Sequence, residues 1–65
     1  MSKGLDRAIE KAGGLRALAR ILNLRHQSIM QWDEIPARHI IPIEKATGIP
    51  REELRPDLYL REEAE

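Results

Sequence analysis

Apolar side chains near the start of the chain recur every three to four residues, which is the spacing of one face of an α-helix. Leu5, Ile9 and Ala12 follow this spacing, and Ser2 is a residue type that commonly caps a helix start. A glycine pair at 13–14 then interrupts the pattern. Glycine often ends a helix because it adopts the left-handed conformation without a steric penalty. The pattern predicts a first short helix between Ser2 and the glycine pair.

The same spacing resumes after the glycines and predicts a second helix. Its apolar positions are Leu15, Leu18, Ala19 and Leu22. The next residue, Asn23, is one of the few non-glycine types that tolerates a positive φ, so the helix is expected to end there. Leu24 places an apolar side chain inside the turn that follows.

A third helix is predicted from about His26 to Trp32, with a narrow apolar stripe. Ile29 and Trp32 form this stripe, three residues apart, and Met30 points away from it. The remaining positions of segment 25–31 are polar, but none is acidic and none is lysine. An ordinary solvated helix face more often carries Glu and Lys, so this face is suited to specific hydrogen bonding.

Segment 37–47 predicts a fourth helix, which begins after Pro36 and ends at Gly48. Pro42 lies inside this segment and has no N–H to donate. Two alternatives follow: the helix begins close to Pro42, or the first turn is a separate short element.

The last part of the chain predicts one more short helix and a tail. Pro50 would begin a helix of one or two turns through Leu54, which the Pro-Asp pair at 56–57 ends. The segment 58–59 is expected to fold back on the core, and residues 61–65 to form a frayed acidic tail. We expect one domain over 1–60, with Ile41 and Tyr59 in its core or in a dimer interface.

The composition favours an all-α fold, a compact bundle of four to five short helices. The apolar residues are mainly Leu, Ile and Ala, and Val and Phe are absent. Strands prefer β-branched and aromatic residues together, whereas Leu, Ala, Glu and Arg favour helix.

Length and residue usage also exclude several function classes. A domain of 65 residues has little room for a deep substrate pocket, and no catalytic set is suggested, so no enzyme activity is expected. The absence of Cys and the presence of only two His argue against a disulfide framework or a metal site, and no cofactor is expected. No apolar segment could span a membrane. The expected location is the bacterial cytoplasm or nucleoid, or a phage-infected cell.

The zero net charge conceals an asymmetry. Residues 1–50 carry 8 basic and 5 acidic side chains, whereas residues 51–65 carry 3 basic and 6 acidic ones. A mildly basic body beside an acidic tail is compatible with nucleic-acid binding but does not by itself predict it.

The most informative segment is 15–32, in which two short helices are joined by a three-residue turn. Helices that cross over such a turn need a small side chain at their closest approach, here Ala19, and a turn residue able to take positive φ, here Asn23. Ile29 and Trp32 would anchor the second of the two helices. The predicted structural residues of this helix-turn-helix are Leu15, Ala19, Asn23, Leu24, Ile29 and Trp32.

The segment resembles the helix-turn-helix of phage Cro and repressor proteins, a lambda repressor-like domain. In detail the chain resembles the small Cro-like, YdaS-type family, which is associated with antitoxins of toxin–antitoxin loci. The resemblance covers about residues 8–59 and is carried by AGGLRALARILNL, RHQSIMQW, IPAR, IEKATGI and REELRPDLY. Two positions depart from the motif. Asn23 stands where glycine is most usual, and Leu15 where a glutamine commonly contacts phosphate, so that Arg16 is the nearest replacement.

The resemblance implies sequence-specific binding of double-stranded DNA by a small transcriptional repressor, with helix 26–32 in the major groove. Gln and Arg side chains match the edges of adenine and guanine there. The predicted base contacts are Arg25, His26, Gln27, Ser28 and Gln31. The predicted phosphate contacts are Arg16, Arg20, Arg38 and His39. A homodimer on a palindromic operator is the expected assembly.

A second interpretation belongs to a different class. The domain could act mainly through a protein partner, as an antitoxin-like module that captures a toxin. The acidic C-terminal segment, REELRPDLYLREEAE, would then be the active surface. Because antitoxins often bind their own operators as well, the resemblance does not separate the two interpretations.

Overall fold

The computed structural model describes residues 2–59, and within them the chain forms five α-helices and no strand. The helices are α1 (Lys3–Ala12), α2 (Leu15–Leu22), α3 (His26–Met30), α4 (Ala37–Thr47) and α5 (Arg51–Leu54). This confirms the predicted all-α bundle. The expected fraying of residues 61–65 lies outside the described residues.

The ends of α1 and α2 follow the local rules that predicted them. The Ser2 hydroxyl accepts a hydrogen bond from the Leu5 N–H at 3.1 Å and caps α1, which ends at Gly13 with a φ of 101°. Asn23 ends α2 with a φ of 59° and a ψ of 42°, the left-handed conformation that the turn requires. The Leu24 N–H then donates to the Ala19 carbonyl at 2.8 Å, which closes the turn over the small side chain.

Asn23 gives a stability prediction that separates backbone conformation from side-chain contacts. It is the one non-glycine residue with positive φ among residues 2–59, and its side chain is exposed. Replacing Asn23 by Ala should lower the free energy of unfolding by about 1 kcal/mol, because alanine is disfavoured in the left-handed region. Asn23→Gly should be within a few tenths of a kcal/mol of the wild type. Chemical denaturation measures both, and an equal loss for the two variants would contradict the conformational explanation.

The predicted end of α3 was wrong by two residues. The helix stops at Met30, and Trp32 lies beyond it. The Gln31 and Trp32 N–H groups donate to the Ser28 and Ile29 carbonyls at 3.2 and 3.0 Å, so the last turn tightens to three-residue spacing. The chain then leaves the helix and brings Ile35 into the core, where it is fully buried.

Both alternatives for Pro42 were wrong, because α4 is continuous from Ala37 to Thr47 with Pro42 inside it. Proline at this position removes one helical hydrogen bond to the Arg38 carbonyl. Ile40 and Ile43 lie on either side of Pro42 and are both fully buried, and the proline itself is exposed. Tertiary burial of the two isoleucines therefore holds the helix together across the missing bond.

The core lies between α1, α2, α4 and α5, and every helix contributes at least one buried residue. The buried apolar residues are Leu5, Ala8, Leu18, Ala19, Ile29, Ile35, Ile40, Ile43, Ile49 and Leu54. Ile41 and Tyr59 are partly buried and pack against this cluster, as the monomer-core alternative required.

The start of α1 lies close against the end of α5 at Gly4. A Cβ atom added to this residue would lie 2.3 Å from the Leu54 carbonyl oxygen and 2.9 Å from that of Glu53. Glycine is therefore needed where α1 meets the end of α5, a requirement that the apolar spacing of α1 did not show.

Candidate nucleic-acid interface

An open cleft of about 300 Å³ lies between α2 and the start of α3. The residues that line it are Arg16, Ala19, Arg20, Leu24, Arg25, His26 and Gln27. Five of these are residues for which a DNA contact was predicted from the sequence. The fold therefore brings two predicted phosphate contacts and three predicted base contacts to one concave surface.

α2 and α3 pack together through small and apolar residues that lie at the cleft and beneath it. Ala19 is 4% exposed and offers only a methyl group at the crossing, and Ile29 is fully buried beneath α3. Leu15, Leu24 and Trp32 are partly buried around them. Ala19 and Ile29 thus belong to the buried core, and Leu15 and Trp32 pack against it.

The outer face of α3 is polar and open to solvent. Gln27, Ser28 and Gln31 are exposed, and His26 is partly exposed at the first position of the helix. Arg25 is the N-cap residue, with extended backbone, and it is exposed and lines the cleft at the start of the helix. Met30 is 57% exposed, in agreement with its predicted position off the apolar stripe.

Among residues 2–59, no carboxylate forms an ion pair with the arginines of this surface. Residues 13–32 contain three arginines and no Asp or Glu. Within residues 2–59 the ion pairs involve other arginines: Arg7 with Glu53, Arg51 with Glu44, and Arg55 with Glu34 and Asp57. Within the described part of the chain, no carboxylate therefore competes with an anionic ligand for Arg16, Arg20 and Arg25.

Arg38 and His39, the other two predicted phosphate contacts, do not line the cleft and lie in the first turn of α4. Arg38 is exposed. The His39 ring is partly buried and stacks on Trp32, with ring centroids 5.3 Å apart and planes at 24°. Burial, together with the neighbouring Arg38 charge, lowers the pKa of His39 and so favours the uncharged ring.

Arg55 ties the loop between α3 and α4 to the chain after α5, a link that sequence reasoning missed. Its side chain is 15% exposed, and its Nη1 donates to the Ile35 carbonyl at 2.6 Å. Its Nε donates to Asp57 at 2.8 Å, and this hydrogen bond lowers the pKa of the Asp57 carboxyl. No local signal could have indicated this link, because Arg55 and Ile35 are 20 residues apart.

Residues 2–59 contain no group of three or more His, Cys, Asp or Glu side chains that could hold a metal ion. No helix among them has both the length and the apolar character needed to cross a membrane.

The five-helix fold, with α2 and α3 joined by a left-handed turn, defines a small helix-turn-helix domain. A model of the family described as "Bacterial toxin YdaS" matches residues 5–63, and the chain belongs to this family. The family resemblance seen in the sequence is thereby confirmed. Comparison with curated proteins and with solved structures gave no significant match.

Proposed function

We propose that this protein binds double-stranded DNA in a sequence-specific manner and acts as a small transcriptional repressor, with α3 in the major groove. The observation that carries the proposal is the cleft between α2 and α3, where Arg16, Arg20, Arg25, His26 and Gln27 converge. A helix of this kind reads bases mainly through its N-terminal residues, which are the ones that line the cleft.

Base contacts are assigned to the polar residues of α3 and its flanks. Gln27 and Gln31 can each form a donor–acceptor pair with adenine N6 and N7, and Arg25 can form two bonds with guanine O6 and N7. His26 and Ser28 lie beside Gln27 and can reach an adjacent base edge or a phosphate.

Phosphate contacts position the protein and carry no sequence information by themselves. Arg16 lies in the first turn of α2 and Arg20 one turn later, so both face the same rim of the cleft. Arg38, exposed at the start of α4, would meet the backbone on the other side. With few basic groups per monomer and a net charge of zero, non-specific affinity should be modest.

Replacing Arg16 by Ala tests the phosphate assignment. The variant should bind all duplexes more weakly by a similar factor, because one ionic contact to the backbone is lost. The slope of log K against log salt concentration should fall by about 1. Salt titrations by fluorescence anisotropy on two unrelated duplexes measure both quantities. A loss confined to one duplex would instead assign Arg16 to a base.

Binding as a homodimer would supply the remaining affinity and specificity. Dimeric helix-turn-helix proteins contact two half-sites about 34 Å apart, one turn of DNA, so the operator should be palindromic. DNA binding of this kind would place the protein in the bacterial cytoplasm or nucleoid, or in a phage-infected cell.

Selection of bound duplexes from a random DNA pool at moderate salt tests the proposal directly. Enrichment of a palindromic sequence would support both base recognition and dimer binding, and a single half-site would support recognition by a monomer. If no sequence is enriched over the starting pool, the DNA-binding proposal is wrong.

A second candidate function is supported by the family description, which names a bacterial toxin. In this alternative the domain acts through a protein partner, as a toxin–antitoxin module, by means of the acidic segment 51–65. Residues 60–65 of that segment lie outside the described residues. Two results together would favour this alternative. No DNA sequence is enriched in the selection, and cells that express a variant with Ala at Arg16, Arg25 and Gln27 grow like cells that express the wild type.

A further inference from the structure

The proposed recognition helix α3 is held by few contacts. It has five residues, of which Ile29 alone is buried, and among the helices of residues 2–59 only the backbone of α2 lies close to that of α3. The turn at Asn23 ties its start to α2, but Met30 and Gln31 at its other end are exposed. A helix this short is not stable in isolation, so the orientation of its C-terminal end depends on the residues that follow it.

The first of these residues with a large side chain is Trp32. Its N–H donates to the Ile29 carbonyl at 3.0 Å, which couples its backbone to the last turn of α3. Its indole ring stacks on the His39 ring in the first turn of α4. This stack joins the end of α3 to α4, a helix whose backbone does not lie close to that of α3.

The chain beyond Trp32 is tied at two more points. The Ser2 N–H donates to the Asp33 carbonyl at 3.1 Å, and Arg55 donates to the Ile35 carbonyl at 2.6 Å. Segment 32–35 is thus attached to α1, to α4 and to the residues after α5. Of these attachments, the stack of Trp32 on His39 is the one nearest to α3 along the chain.

We propose that His39 is a positioning residue for DNA recognition rather than a phosphate contact: by stacking on Trp32 it sets the orientation of the C-terminal end of α3, which carries Gln31. The DNA part of this inference rests on the proposed function, whereas the effect on α3 itself does not. A partly buried imidazole whose pKa is lowered is a weak partner for a phosphate but a good partner for an indole face.

Hydrogen exchange of the full-length protein tests the effect on α3 without DNA. In His39→Ala, exchange of the Gln31 and Trp32 amides should accelerate about three- to tenfold, the range expected for loss of one aromatic pair. His39→Phe retains an aromatic face and should exchange like the wild type. Arg38→Ala, a change at the exposed neighbour, is the matched control and should leave these amides unchanged. Amides within α1 should be unaffected in every variant.

Binding to DNA tests the consequence for recognition, with the best duplex from the random-pool selection and an unrelated duplex of equal length as probes. His39→Ala should bind the selected duplex about three- to tenfold more weakly, and its affinity for the unrelated duplex and its salt slope should not change. His39→Phe should restore selected-duplex affinity.

The outcomes separate the two proposals. Equal loss on both duplexes with a reduced salt slope, not restored by Phe, would make His39 a phosphate contact and overturn the inference. Unchanged exchange of Gln31 and Trp32 in His39→Ala would also overturn it. Accelerated exchange of these amides in His39→Ala, without any duplex enriched in the selection, would support the effect of His39 on α3 and contradict the DNA-binding function instead.

Discussion

Replacing Gln27 by Ala should weaken binding to the preferred DNA site by about 1–3 kcal/mol and relax base preference at one position of that site. Gln27 is exposed in the first turn of α3 and lines the cleft beside Arg16 and Arg25. Its amide is the side chain best matched to adenine in this part of the helix, since it donates to N7 and accepts from N6–H. Loss of both bonds removes discrimination against the other bases at that position.

The measurement is a set of affinities for the selected duplex and for its single-base variants. Wild-type protein should distinguish these duplexes at every recognised position, and the Gln27→Ala variant should cease to distinguish them at one. Arg16→Ala is the matched control, because it should lower all affinities while retaining the order of preference. If the order of preference is the same in wild type and Gln27→Ala, α3 does not read bases through this residue.

Replacing Gly4 by Ala should destabilise the fold by about 1–3 kcal/mol, the usual cost of inserting a methyl group into a closely packed site. The added Cβ would lie 2.3 Å from the Leu54 carbonyl oxygen, so the backbones of α1 and α5 must move apart. The effect runs against helix propensity, since Ala is more favourable than Gly inside a helix by about 1 kcal/mol. For a domain of this size the midpoint temperature falls by roughly 4–8 °C per kcal/mol.

Gly48→Ala is the control for this prediction. A Cβ at Gly48 would meet no atom within 4 Å, but the residue has a φ of 79°, so alanine there costs backbone strain without a clash. Thermal unfolding followed by circular dichroism compares the two variants, and Gly4→Ala should be the less stable one. A Gly4→Ala protein as stable as the wild type would show that the approach of α1 and α5 is not tight.

Gln27 and Gly4 lie in separate parts of the molecule, the first in the proposed recognition helix and the second where α1 meets the end of α5. Recognition of a DNA groove needs no deep pocket, only a scaffold that holds one short helix in a defined orientation. A net charge of zero is compatible with DNA binding when the basic and acidic side chains lie on different parts of the surface. The arginines near the cleft have no carboxylate neighbours in segment 13–32, whereas Arg7, Arg51 and Arg55 pair with acidic side chains elsewhere in residues 2–59.

Local sequence rules were sufficient for most of the helices and for the turn that joins α2 and α3. The end of α1 at Gly13 and the turn at Asn23 depend on backbone preferences of single residues, which act over three or four positions. The crossing of α2 and α3 depends on the small side chain of Ala19, and the polar character of the surface beside it depends on the residues in the first turn of α3. These features could be predicted because each depends on neighbours that are close in the chain.

The sequence by itself therefore determined the helices, the left-handed turn and the polar character of α3. Only the tertiary structure decided that α4 continues through Pro42, that Gly4 contacts the end of α5, and that His39 stacks on Trp32. Each of these depends on which surfaces meet when the helices pack. Apolar periodicity indicates which face of a helix is buried but not which distant residue it will contact, because that pairing is set by the combined packing of the whole core.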